Sequence, residues 1–213
     1  MKGQGESGQA DRDDLRSFLE EPASYAAVEH LEPCFDHAIS RQACERLLAD
    51  RRLNERLSGL LAQHYELPGM PAGAEQDLDP ADRSIVLSDS QNIGEIVLRA
   101  GAIYWANTIA GTVLGREAAA LHAALGSELC AFAVANKDLA GPRQPVEPSE
   151  TLRDRIMADG WRCLAAWCRA IDPAISARFR LKLSPSAPLG EAEMPFAEIG
   201  PAVVRRVASP SLR

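Results

Sequence analysis

Along most of this chain apolar residues recur with the three-and-four spacing of helices, not the alternation of strands. The clearest run is Ile93, Ile96, Val97, Ala100, Ile103, Tyr104, Asn107 and Ala110, which predicts a core-facing helix closed by Gly115. A second predicted helix over residues 116–134 carries Leu121, Leu125, Leu129 and Phe132 on one stripe. If that stripe is core, Leu129→Asp should unfold the protein by burying an unpaired charge. After a connector containing Gly141, Pro142, Pro145 and Pro148, Ser149 or Thr151 can cap a third helix with Leu152, Ile156, Gly160, Cys163, Trp167 and Ile171 in line, stopped by Asp172-Pro173. Residues 24–64 predict a helical hairpin broken at Pro33, whose longer second arm carries Leu47, Leu53, Leu57, Leu60 and Leu61.

One stretch departs from the helical period. Phe179, Leu181 and Leu183 alternate with Arg178, Arg180 and Lys182, the spacing of a half-buried strand with a basic outer face. The expected fold class is therefore mainly α, a compact multi-helix domain with a small β element near residues 178–184. The expected segmentation is a disordered leader over 1–14, an N-terminal helical part over 15–66 and a Gly/Pro-rich loop over 67–83. A main helical part over 84–188 and a Pro-rich C-terminal tail over 189–213, with a short Val203–Val207 apolar patch, complete it.

Composition narrows the classes of function. A chain of 213 residues that is 46% hydrophobic can bury about 70% of its unfolded surface, enough to fold without staples. The net charge of -7 gives no electrostatic footprint for nucleic acid or for an anionic membrane. The polar N-terminus lacks the apolar run of a secretory signal, so the protein is expected to stay in the cytosol. Residues 93–114 are long enough to cross a bilayer but include Glu95, Arg99 and Asn107, so they are expected to form a buried helix without membrane insertion. Five cysteines, scattered among apolar residues, point to reduced thiols packed as small hydrophobes.

Candidate chemistry is sparse. His30, Cys34, His37 and Cys44 are the nearest approach to a metal site, and they motivate an alternative reading as a metal-binding regulator or small enzyme. Pro33 disrupts the helix that would align them, and the spacing matches no common zinc pattern, so packing is the better account. Cys163 and Cys168 fall on different faces of their helix, unlike a redox pair. Gly111-Thr-Val-Leu-Gly115 lacks the Lys-Ser/Thr of a phosphate loop and suits close helix approach instead. Ser88 and Ser90 flank Asp89 without a histidine nearby in sequence, His122 being the spatial candidate. No cofactor is expected. Arg178, Arg180 and Lys182, spaced along an edge, and Trp161, off the main apolar stripe of its helix, are the candidate partner-interface residues.

Several pieces share an order with a known family. They are Leu98-Arg99-x-Gly101, Thr112-Val113-Leu114, Leu125-Gly126-Ser127-Glu128-Leu129, Ile156-Met157-x-x-Gly160, Asp172-Pro173, Arg180-Leu181-Lys182-Leu183-x-Pro185 and, near the start, Pro22-Ala23-x-Tyr25. In this order the chain resembles the SctK (YscK-like) family of type III secretion proteins over residues 22–188. The resemblance implies a non-enzymatic adaptor of the sorting platform at the cytoplasmic face of the bacterial inner membrane. Its partners would be the cytoplasmic domain of the inner-membrane ring protein, SctD, and the pod protein, SctQ. The acidic balance of the chain suits a partner with a basic face.

Overall fold

Every regular element is helical in the computed structural model, which describes residues 4–69, 78–190 and 193–209. The chain divides into two compact units, Met1–Ser90 with Ile171–Ala187, and Gln91–Ala170 with Pro188–Arg213. The segment expected as one main part, 84–188, therefore contributes to both.

In the first unit, helix α1 (Gln4–Glu20) is followed by three short 3-10 turns, Pro22–Ser24, Val28–His30 and Pro33–Phe35. The expected disordered leader over 1–14 is thus corrected from Gln4 onward. Leu15, Phe18 and Leu19 bury one face of the helix, and the polar residues before them continue from that anchored turn. The expected hairpin over 24–64 is also corrected in detail. Its first arm is a succession of 3-10 turns because Pro22 and Pro33 each sit at a turn start. Its second arm is two helices, α2 (Arg41–Ala49) and α3 (Asn54–His64). Ser40 caps α2 by accepting from the Ala43 N–H, and Asp50 breaks the run by accepting from the Arg52 N–H. Leu31, Cys44, Leu57 and Leu61 meet in the local core that results.

Helix α4 (Pro80–Leu87) starts inside the expected Gly/Pro-rich loop, with Asp79 accepting from the Ala81 N–H. The centre of that loop, residues 70–77, lies outside the described residues.

The second unit is built on close helix crossings. Helix α5 (Ser90–Tyr104) buries Ile93, Ile96, Val97, Ala100 and Ile103, as its period predicts. It breaks at Trp105 and resumes as α6 (Ala106–Gly111). At the break the buried Trp105 indole donates to the Asp159 carboxylate at 2.7 Å. Helix α7 (Arg116–Ala135) is interrupted at Gly126, whose φ of +79° and ψ of 160° are open to glycine and costly for other residues. The chain turns enough there for the Cys130 thiol to reach 3.9 Å from the Leu121 carbonyl. Nine residues of straight helix would separate them by about 13 Å.

Helix α8 (Leu152–Ala170) runs through the middle of this unit. Gly160 is so close to α5 that an added Cβ would stand 1.9 Å from the Val97 carbonyl oxygen, and one on Gly101 would stand 2.0 Å from that of Ile156. The expected Pro-rich tail is corrected to a core helix, α10 (Phe196–Ala208). Phe196, Gly200, Val203, Val204 and Val207 share one face at helical spacing, and that face packs on α8, with Gly200 against Ala166 and Cys163. Pro201 stands within its first turns and does not prevent the helix.

The small β element is not found: among the described residues there is no strand, and 178–184 ends a helix. Asp172-Pro173 starts helix α9 (Pro173–Arg180) as well as following α8, because the Asp172 carboxylate accepts from the Ala174 N–H and Pro173 sits at the first helical position. Ile175 and Phe179 then face the core four residues apart. The following N–H groups, of Leu181, Lys182 and Leu183, donate three residues back, and these tight turns carry Leu181 and Leu183 inward too. A helix end running into 3-10 turns has produced an alternation that mimics a strand.

Candidate functional site

The basic ladder is corrected along with the strand. Arg178 is buried, and its guanidinium donates to the carbonyls of Leu19 at 2.8 Å, Pro68 at 2.9 Å and Ala174 at 3.1 Å. It closes backbone acceptors from three parts of the first unit. Lys182 is half-buried and donates to the carbonyls of Val86, in the last turn of α4, and of Ser88 just past it, while its ammonium lies 5.2 Å from both the Phe18 and Tyr25 ring centres. Burial lowers its pKa to about 8, against an opposing pull from Asp89. Arg180 is the exposed member of the three. Trp161 is half-buried on α8 in the second unit. Two of the four candidate interface residues, Arg178 and Lys182, thus tie the first unit together internally.

The four metal candidates are not assembled either. His30 is buried and its Nε2–H donates to the Leu183 carbonyl at 2.8 Å, with Tyr65 edge-on to the ring. The Cys34 thiol donates to the His30 carbonyl, and Cys44 packs among Leu31, Leu57 and Leu61. His37 is exposed with φ of +57°. Among the described residues no three His, Cys, Asp or Glu side chains are grouped to hold a metal ion. Burial pushes the thiols of Cys34, Cys44, Cys130 and Cys163 up, away from the reactive thiolate. The Ser88 hydroxyl donates to the Ser84 carbonyl at 2.8 Å, as a local helix-end bond.

A different surface stands out, and the sequence reading did not find it. Val113 and Leu114, in the turn between α6 and α7, are 77% and 88% exposed. Gly115 follows them with φ of +91°, and the turn holds both side chains away from the core. Along α7, Ala119, Ala123, Ala131 and Val134 are exposed as well, among the polar Arg116, Glu117, His122, Ser127 and Glu128. By length and composition α7 would be a membrane-span candidate. The break at Gly126 leaves pieces of about ten residues, each about 15 Å long, against a hydrocarbon core of about 30 Å.

Beside α7 runs a groove floored by Leu98 of α5 and by Leu125, Leu129 and Phe132. Its rim is charged, with Arg99 paired to Glu95 at 2.7 Å and lying over the Phe132 ring at 5.2 Å, and Glu128 standing exposed. Leu129 thus lines a half-open groove and is not a core residue, which corrects the reading of its stripe; Leu121, 1% exposed, and Leu125 are its buried members. The signal that could have found this surface was Thr112-Val113-Leu114, two large apolar residues just before the glycine expected to close a buried helix; the helix ends at Gly111 instead, and the segment read as a close helix approach is an exposed turn.

The turn and the groove together present uncovered aliphatic surface with a charged rim. A family model described as YOP proteins translocation protein K (YscK) matches residues 15–204, which span both units and all but the ends of the chain. No curated protein and no solved structure matches the chain.

Proposed function

The chain belongs to the YscK family of type III secretion proteins, and on that premise we propose that it is a non-enzymatic adaptor of the secretion apparatus. It would join the cytoplasmic domain of an SctD-like ring protein to an SctQ-like pod protein at the cytoplasmic face of the inner membrane. The observation that carries the reading, beyond family membership, is the uncovered apolar surface of Val113 and Leu114. Large aliphatic side chains in water gain roughly 1.5–3 kcal/mol each when a partner covers them fully, and such patches are characteristic of protein contacts.

Co-purification of the full chain with the SctQ-like and SctD-like proteins of the same organism tests this. A complex with at least one is expected at low and moderate salt, and a Val113→Ser, Leu114→Ser double variant should lose much of it while unfolding at the same temperature as the parent. Folded components that form no complex in any pairing would sink the adaptor reading.

A further inference from the structure

We propose that the groove between α5 and the second half of α7 receives an amphipathic helix from a protein partner, with apolar residues at i, i+3 or i+4, and i+7 and with Lys or Arg along one edge. The inference rests on the adaptor reading and specifies what one partner presents.

The groove is built from two helical rows. On α5, Glu95, Leu98 and Arg99 form the row opposite the buried stripe of Ile93, Ile96, Val97 and Ala100. On α7, Leu125 just before the Gly126 break and Leu129 and Phe132 after it line the facing side. Leu98, Leu129 and Phe132 remain half-buried, so the fold leaves an aliphatic and aromatic floor incompletely covered. A trough between two helices matches the shape of a third helix, which would anchor through residues on successive turns.

Charge selects the kind of helix. Arg99 is already neutralised by Glu95 and is drawn over the Phe132 ring. Glu128, on the opposite rim, is exposed and makes no hydrogen bond or ion pair with the described residues. The rim therefore carries one carboxylate in excess of its cations beside an apolar floor, and a Lys or Arg at the edge of the incoming helix completes it. The same carboxylate disfavours an anionic lipid surface, and a chain of net charge -7 disfavours a second copy of itself.

Two measurements decide it. With a photo-crosslinking residue at position 98 of the full chain, and the SctQ-like and SctD-like proteins as probes, the captured segment should be a helix bearing that apolar spacing and flanking basic residues. Capture of an acidic or non-helical segment, or only of a second copy, overturns the proposal. Glu128→Arg should weaken the complex about tenfold at low salt, with a smaller loss at high salt and an unchanged unfolding temperature. An effect under twofold, with the parent complex intact, overturns the groove proposal and leaves the adaptor reading standing. A parent chain that binds neither protein removes both.

Discussion

Gly101 and Gly160 lie where two helix backbones touch, and each has a neighbouring carbonyl where its Cβ would be. Backbone cannot swing aside as a side-chain tip can, so Gly160→Ala should cost about 1–3 kcal/mol or more, read as a fall in unfolding temperature. Gly59, inside α3 with nothing within 4 Å, is the contrasting position. Gly59→Ala should stabilise by about 0.5–1 kcal/mol. Equal effects at the two sites would contradict the crossing.

Lys182 makes a second residue-level prediction. Below its folded pKa of about 8 the folded and unfolded chains both hold the proton, and the cost of burying the charge is present in full. Between there and the unfolded value of about 10.4 the unfolded chain binds more protons, so this group adds stability as pH rises. The buried thiols and Tyr25, whose pKa values are raised, act in the opposite direction, and comparison with Lys182→Met isolates the lysine. The stability of the parent relative to the variant should climb between pH 8 and about 10. Parallel curves would show that the amine is not desolvated.

At the scale of elements, α7 turns different members of one apolar stripe to core and to groove. Leu121 is buried before the Gly126 break, and Leu129 lines the groove after it. Leu121→Asp should therefore unfold the protein, while Leu129→Asp should stay folded and lose partner binding. Circular dichroism with thermal melts checks both, and unfolding by Leu129→Asp would place that residue in the core after all. Gly126→Ala meets no steric neighbour yet forces a φ of +79° on an L residue, so its expected cost of about 1–3 kcal/mol is one of backbone strain.

At the scale of the molecule, the first unit depends on a segment far along the chain. Residues 171–187 supply Arg178, which closes the Leu19 and Pro68 carbonyls, and the Leu181 and Leu183 carbonyls, which accept from Ala27 and His30. A fragment ending at Ser90 should therefore lack stable tertiary structure, and rejoining 171–187 through a linker should restore dispersed amide resonances in NMR spectra. A well-folded 1–90 fragment would refute this dependence.

What the sequence alone determined was whatever a local period can encode. The buried faces of α5 and α8 followed from the 3.6-residue repeat, and the order of family-like motifs pointed to the YscK family before any fold was in view. Only tertiary structure could decide the rest. Whether the alternation over 178–184 is a strand depends on partners, and a capped helix end followed by 3-10 turns satisfies the same pattern without any. Whether Arg178 faces a partner or the fold depends on carbonyls 110 and 159 residues away in sequence. The tail looked Pro-rich because prolines outweigh a short valine run in composition, yet Phe196, Gly200, Val203, Val204 and Val207 gain their meaning from the α8 face they cover. The candidate contact surface was hidden for a similar reason: a sequence shows that Val113, Leu114 and Leu129 are apolar, but only the packing of every other helix shows which apolar residues are left uncovered.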